Sequence, residues 1–553
     1  MLSKTATPYL SHVYRQIPRL FSRGDWDPFS QSYGCCDRTF WAWKFTDFPG
    51  ARFQESAYAL AFLYSNHWAG NVMYGNAETL IRARATMSYW RGLQYPDGSF
   101  DEAYPYEHSL AATAFTSFYI GEALALLTDQ LPCTEVDPLI EALSRAGDWL
   151  MANDESHGIL SNHLAAAAAA LTVIARHTGQ ASYLSRSQYF LDRIYARQSS
   201  EGWYEEYGGA DPGYQSHGTF YLARVWQLTG DEQLLESLRR ANAFLSHCVH
   251  PNRTLGGEYG SRNTEFYYPA GFEMLAPVCP HAQTIAVFMR NGIESQSAAG
   301  LAAVDAYNFN PLLNNYLFAS ANAQDDTQST VVLPCHQEGS WDFPQAGLHT
   351  HGTRRYYAVL GLSKGGVLKI FGRDGTYASD CGYWAILDNG RAVTSQSLQL
   401  APDVSCRDCS LEVRANFTFV KQKLMTPPLF LVFRLFCLIF CRFRKAGYMM
   451  KSLLVAILVT KVKNAPLALC RRVSFGEDFI NVDDRISLKV GARLRSFGTG
   501  GKFAAIHMGS ARYFQWHDLK YYQPYHVGLE TCLADLNANG YVALEKQFFF
   551  PGE

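Results

Sequence analysis

Charge of one sign is what this sequence most plainly lacks. Its 48 Lys and Arg face 50 Asp and Glu, a formal net charge of −2, and only 18% of the 553 residues are charged. So even a balance gives no global electrostatic reason to bind nucleic acid, and no zinc-finger or P-loop spacing is present, so no nucleic-acid partner is expected. The opening stretch MLSKTATPYLSHVYRQIPRLF has neither the continuous apolar segment nor the small-residue cleavage site of a secretory leader. Its absence leads us to expect a cytoplasmic protein. The 13 cysteines are odd in number and scattered, and neither Cys35-Cys36 nor Cys406-x-x-Cys409 has a second pair at zinc spacing. Free buried thiols are therefore expected, and no metal site.

What the chain has is apolar and aromatic mass. Hydrophobic residues make up 48% of it and aromatic residues 14%, with 11 Trp and 33 Tyr. A chain of this size divides into at least two domains. Rings that stack on sugars and rings that fill helical cores both fit the aromatic share, and core packing accounts for most of them.

Two textures divide the sequence. From about Ala51 to Met289, segments of helical period cover 53–65, 77–93, 108–128, 135–151, 160–178, 181–196, 215–229 and 231–249, separated by turn-forming loops. Two loops resemble each other, Pro96-Asp-Gly-Ser-Phe-Asp-Glu102 and Ser200-Glu-Gly-Trp-Tyr-Glu-Glu206, offset by 104 residues. Paired helices in a repeat of this length predict a ring of helical hairpins, an α/α toroid, with its loops gathered at one end. From about Ser329 short alternating runs separated by Gly and Asp-Gly turns predict an antiparallel β-sandwich. The expected organisation is α+β and multidomain: a lead-in over 1–50, a toroid over 51–289, a linker over 290–328, and a β-sandwich over 329–553 carrying an insertion at about 413–476.

Chemistry-bearing residues concentrate in the loops. Asn162-His163 stands at the head of an Ala6 run that favours helix and nothing else. About fifty residues later comes a Gly-rich polar loop with Glu206, Tyr207, Asp211, Tyr214 and His217, and then a second one with Tyr259, Arg262 and Asn263. Such loops pack poorly as core. The β half opens with His336, His349 and His351. All of these side chains can face one cleft. Plain structural roles compete with that view: Asn162 as a helix N-cap, His163 as a hydrogen-bonded core residue, Tyr214 as a ring packed on the next helix.

The order of these parts resembles the heparinase II/III-like family of polysaccharide lyases and their uronate C5-epimerase relatives. Ser161-Asn162-His163, the Asp211-Pro-Gly-Tyr214 loop and the Leu362-Ser-Lys-Gly-Gly-Val-Leu-Lys-Ile-Phe region carry the resemblance. It implies removal of the C5 proton of a uronic acid in an acidic polysaccharide, with no cofactor required. Because the sugar carboxylate already bears charge, it must first be neutralised; Asn162 and His163 match the family's neutralising pair, with help from Arg262. By position, Tyr214 and His351 or His349 take the proton-transfer roles. Tyr207, His217, Glu206, Tyr259, Asn263 and His336 are then expected to bind substrate. A tyrosine is a poor base at neutral pH unless a neighbour such as His217 or Arg262 lowers its pKa.

Other readings stay open. α/α toroids also host glycoside hydrolases that use paired carboxylates, for which Asp97, Asp101, Glu102, Glu205, Glu206 and Asp211 are available. A catalytically silent glycan-binding or membrane scaffold is another. Between Val413 and Gly476 there are 12 Lys or Arg and no Asp or Glu, around two apolar runs within 427–460. Each run is shorter than the ~20 residues that span a bilayer. Either this segment lies against an anionic membrane, on the cytoplasmic face, or it packs on the sandwich. A membrane location favours epimerisation of a nascent polysaccharide, whereas the resemblance favours β-elimination, and the sequence does not decide between them.

Overall fold

In the computed structural model, residues 7–155, 160–324, 331–407, 410–420, 424–443, 447, 449–450, 463–500, 513 and 526–550 are described. Cys409 and most of the second apolar run, Met449–Thr460, lie outside them.

Twelve helices are described before residue 324, and they alternate in character. α1 (Thr7–Arg23), α3 (Ala77–Leu93), α5 (Cys133–Ala152), α7 (Ala181–Tyr195), α9 (Glu232–Ser246) and α11 (Pro280–Glu294) keep a solvent-facing side. α2 (Ser56–Ser65), α4 (Leu110–Leu127), α6 (Ser161–Thr178), α8 (Pro212–Thr229), α10 (Ala270–Leu275) and α12 (Ala306–Asn322) are mostly buried and touch one another in chain order, and α12 returns to contact α2. The Ala run explains part of this closeness. Leu164 to Ala175 of α6 are all buried, and on its α8 neighbour Gly218 brings the backbone to within 3.5 Å of Asn162 Cα, measured from an ideal Cβ. Methyl-sized side chains let α4, α6 and α8 approach where larger ones would clash.

The helix hairpins have one short and one long end. Links from inner to outer helices are brief, such as Gly179–Gln180 and Gly230–Asp231, whereas links from outer to inner helices run over 24–55, 94–109, 196–211 and 247–269. Since neighbouring helices joined by two residues must be antiparallel, all the long links, and the N-termini of the inner helices, lie at one end. Of the seven described non-glycine residues with positive φ, Lys44, Tyr106, His108, Tyr207, Arg253 and Asn263 sit in these long links, and Gln296 sits in the further outer-to-inner link 295–305. Backbone held in this region costs energy and collects at functional sites. The two similar loops also share a structural device. Gly98 (φ 94°) and Gly202 (φ 103°) each press on a helix carbonyl, that of Arg145 and of Arg240, where no Cβ would fit.

The helices reach further than expected at both ends. α1 occupies the expected lead-in and packs on α11 and α12, and the expected linker 290–328 holds the end of α11 and all of α12. Their buried positions, Tyr9, Leu10 and Val13 in α1 and Phe309 to Ala319 in α12, belong to the same core as the other helices.

The C-terminal half is two antiparallel sheets. β3 (Gly339–Phe343), β4 (Leu348–Gly352), β5 (Tyr356–Gly361), β6 (Val367–Gly372) and β7 (Tyr377–Asp380) form the first as a meander; the helical half supplies only a short hairpin, β1 (Glu205–Glu206) with β2 (Gly209–Ala210). The second sheet has β8 (Tyr383–Leu387), β9 (Ala392–Thr394), β10 (Asp403–Arg407), β11 (Ser410–Phe419), β12 (Asn464–Phe475), β13 (Phe479–Leu488), β14 (Leu494–Gly500), β15 (His526–Gly528) and β16 (Tyr541–Phe549). The first sheet is covered on both faces. Leu348, Tyr357, Val359 and Phe371 join the helical core, whereas Tyr356, Ala358, Leu360 and Ile370 pack on Val413, Val473 and Val482 of the second sheet. This two-sided burial is why β5 and β6 read as nearly continuous apolar runs.

Of the two apolar runs within 427–460, residues 427–443, 447 and 449–450 are described. The insertion joins β11 to β12, which pair with each other, and its helix α13 (Pro427–Phe440) lies against Tyr104 and Tyr106 of the helical half. Among the described residues, 12 cysteines are free thiols and no cluster of metal-ligating side chains is found.

Candidate active site

The first turn of α6 has no side-chain cap of its own: its N-cap position is Leu160. Glu206 serves instead. Its Oε1 accepts from the Asn162 backbone N–H at 3.0 Å and from Asn162 Nδ2 at 2.9 Å, placing a carboxylate at the positive end of a helix. Asn162 is therefore not an N-cap. Its amide retains a second N–H for another partner.

Glu206 is buried, and burial pushes its carboxyl up to about 7 against the pull of Arg262 and the Asn162 donors. Its Oε2 has no hydrogen-bond partner among the described residues; Arg262 Nη1 lies 3.8 Å away. The Arg262 guanidinium also lies over two rings, 4.0 Å from the centroid of Tyr214 and 5.0 Å from that of Tyr207. Burial opposes its charge, but Tyr214, Glu206 and Tyr207 together hold it above its ordinary value. Asp211 fixes the arrangement. It caps α8 by accepting from Tyr214 N at 3.1 Å, it accepts from Arg262 N at 2.8 Å, and it holds the Thr264 hydroxyl.

His163 completes the other side. Its Nδ1 is 2.9 Å from Glu155 Oε2, which leaves Nε2 for a different partner. Its ring meets Phe115 edge-on at 5.7 Å, and Phe115 lies nearly parallel to His217 at 5.7 Å. His217 stacks on Tyr268 at 4.2 Å, is buried, and has an Nε2 with no partner among the described residues. Burial, with Arg52 and His163 nearby, drives its pKa well down, so it stands neutral. His217 thus cannot supply the positive charge that a reactive Tyr214 needs. Arg262 can.

Asn162, His163, Glu206, Tyr207, Tyr214, His217, Arg262 and Asn263 are thereby brought together at the end where the long links meet. His163, Tyr207 and Tyr214 keep part of their surface in solvent while the others are buried. The arrangement offers a tyrosine beneath a cation, an amide and an imidazole beside it, and a carboxyl that gains or loses its proton near neutrality. It is suited to masking an anionic group and moving a proton next to it.

Residues 46–271 match the ulvan lyase N-terminal domain family. Over both halves, the chain superposes on the xanthan lyase of Paenibacillus with TM-score 0.50 at 12% identity, covering 90% of this chain and 47% of that one. It superposes on the chondroitin AC lyase of Streptomyces coelicolor A3, solved in complex with chondroitin sulphate, with TM-score 0.54 at 12% identity, covering 89% and 68%. Residues 46–271 are thus similar to a lyase domain family, and the chain has the fold of these polysaccharide lyases. It spans about half the length of the xanthan lyase, and at this identity the likeness to the solved lyases is one of fold. No curated protein sequence matches it.

Four expected site residues stand elsewhere. Side chains alternate along β4, so Thr350 faces the helical half, near His247, while His349 and His351 face the second sheet. There His349 pairs with Asp342 at 2.7 Å and His351 with Ser340 at 2.6 Å, both against Phe475. Neither histidine meets the Asn162 cluster, and burial lowers the pKa of His351 to about 4. His336 lies by Phe288 and Arg373. Tyr259 is fully buried, bonding His250 at 2.9 Å and the Cys248 carbonyl at 3.2 Å, as a core residue does.

The structure also adds residues that sequence reasoning missed. Glu155 holds His163. Arg52 pairs with Glu55 and, at 3.1 Å, with Glu102, and covers the Phe115 ring at 4.2 Å. Burial pushes Glu55 up to about 7 despite Arg52. From the β half comes Lys364, whose buried Nζ has no hydrogen-bond partner among the described residues and whose pKa burial lowers to about 8 against the pull of Asp211. Only the loop composition around Glu155 and Arg52 hinted at these; their partners are set by tertiary packing.

Proposed function

We propose that this chain cleaves a uronic-acid-containing polysaccharide by C5 proton abstraction and β-elimination. The observation that carries the reading is the convergence of Asn162 and His163 from the first turn of α6, Tyr214 from the first turn of α8 and Arg262 from the link 247–269 on one partly open cluster. In this reading the helical ring is an α/α toroid and the two sheets a β-sandwich, and the substrate lies across the loop end of the toroid.

The chemistry follows from the groups present. A uronate carboxylate placed by the second Asn162 N–H and by His163 is neutralised, which lets charge develop on it as the C5 proton leaves. Tyr214 takes that proton as its own passes to the departing glycosidic oxygen, with Arg262 stabilising the phenolate character that develops between the two transfers; the electron pair from the C–H bond forms the C4–C5 double bond as the glycosidic C–O bond breaks. Glu206, protonated below about 7, lets an anionic sugar approach without repulsion. Side-chain proton transfer of this kind calls on no cofactor. The substrates named for the two solved lyases, xanthan and chondroitin, support an acidic polysaccharide as the substrate class.

Incubation with a panel of uronic-acid polymers in deuterated water tests the reading. Growth of the unsaturated-uronate absorbance band is the expected result. Deuterium entering C5 without cleavage makes the enzyme an epimerase, and new reducing ends with neither signal make it a hydrolase.

A further inference from the structure

The helix α13 turns one stripe inward and leaves the rest bare. Phe433, Phe436, Cys437 and Cys441 pack on Tyr104 and Tyr106, and Arg434 reaches Asp47 at 3.0 Å and lies over Phe48. Around the remainder stand Leu431 (60% exposed), Val432 (63%), Leu435 (49%), Leu438 (43%), Ile439 (55%) and, just beyond, Phe443 (67%). A helix that is apolar all round belongs in a core or in lipid, and soluble monomers rarely expose so continuous a patch. The link that Arg434 grips adds Trp43 and Phe45, 64% and 87% exposed.

Charge selects the partner. Residues 424–443 carry Arg434 and Arg442 and no acidic residue, and the sequence between β11 and β12, 420–463, has 9 Lys or Arg and no Asp or Glu. A second copy seated on this face by a two-fold axis would bring these cations against each other. An anionic lipid surface matches both the apolar side chains and the charge. At 14 residues α13 is about 21 Å long, too short to cross the ~30 Å hydrocarbon layer, so it must lie along it.

We propose that α13, with Trp43 and Phe45, is a membrane-docking surface that seats the chain on an anionic bilayer. The links it rests on, 24–55 and 94–109, belong to the same end of the helical ring as Asn162 and Tyr214. Docking therefore sets the rim of the candidate site beside the headgroups. This inference rests on exposure and charge and not on the lyase reading.

Flotation of the full chain with phosphatidylcholine vesicles, with and without phosphatidylglycerol, tests it. Binding is expected only to the anionic vesicles and to weaken at high salt, where the Debye length shrinks. Leu431→Glu with Ile439→Glu, at exposed positions, is expected to weaken binding at least about tenfold, and Trp43→Ser with Phe45→Ser to weaken it as well. Leu184→Glu, an exposed leucine on α7, is expected to bind like the wild type and controls for added charge. Failure to bind anionic vesicles overturns the proposal, as does unchanged binding by the 431/439 variant. So does a wild-type dimer that this variant converts to a monomer in light scattering, which would make a second copy the occupant.

Discussion

The Arg262 guanidinium lies 4.0 Å from the centre of the Tyr214 ring, a buried cation placed where a phenolate would form. If Tyr214 moves the C5 proton, Tyr214→Phe removes that capacity and leaves the packing on Phe266 intact. We expect kcat to fall by about 10²–10⁴-fold with KM and melting temperature little changed. Steady-state kinetics and a thermal melt check this; a variant with kcat near wild type removes Tyr214 from the chemistry.

Asn162 joins stability to activity. Asn162→Ala removes one donor from the buried Glu206 Oε1 and keeps the backbone bond. We expect a stability loss of about 1–2 kcal/mol by denaturant titration, and a fall in kcat of about 10²–10³-fold. Asn162→Asp is expected to be worse in both respects, because it sets a second carboxyl against Glu206. A purely structural Asn162 would lose stability while kcat at saturating substrate stayed intact.

The sequence discloses the helices and the parts of the site that depend on local pattern. Seven of the eight expected helical segments differ from α2 to α9 at their ends by small shifts, and 77–93 coincides with α3. Asn162-His163 stood out because two polar residues heading an Ala run need a reason. What was not legible is which way a side chain faces. His349 and His351 alternate correctly as strand residues, but only the packing of two sheets decides that their face meets Phe475. Tyr259 has the composition of a functional loop and the surroundings of a core. Glu206 was named as a ligand contact, yet its role as the cap of α6 needed a contact across 44 residues. The ring closure by α12 was hidden for the same reason: nothing local ties Ala306–Asn322 to Ser56–Ser65.

Glu206 also makes a prediction about pH. Burial raises its carboxyl from 4.5 to about 7, so between those values the folded chain holds a proton that the unfolded chain has released. This contribution is fully present below pH 4.5 and is lost as pH rises through about 7, an effect of order 3 kcal/mol. Glu206→Gln lacks the titration. We expect the stability of wild type relative to Glu206→Gln to fall between pH 5 and 8. For the same reason KM for an anionic substrate is expected to rise above pH 7 in the wild type and to stay flatter in the variant. A stability difference that does not vary with pH would show that Glu206 keeps an ordinary carboxylate pKa.

A buried ion group ties the two halves together beneath the site. Lys369 of β6 lies 3.0 Å from Glu258 Oε2 and 2.6 Å from Glu265 Oε1, both in the link that also carries Arg262. All three are largely out of water, and the two carboxylates hold the Lys369 ammonium well above its ordinary pKa, against the desolvation that opposes its charge. Removing the cation leaves two carboxylates facing each other in a low dielectric, which costs far more than a surface pair does. Lys369→Met is therefore expected to lose about 3–5 kcal/mol, and to recover part of that at low pH, where the carboxylates can protonate. Because the link that Lys369 holds through Glu258 and Glu265 also carries Arg262, activity is expected to fall with stability in this variant. Adding Glu258→Gln and Glu265→Gln to Lys369→Met should restore much of the stability, since an uncharged trio has no charge left to desolvate. Chemical denaturation of the single and triple variants at pH 5 and pH 8 measures each of these terms, and equal stability of wild type and Lys369→Met would mean that the two carboxylates are already neutral in the fold.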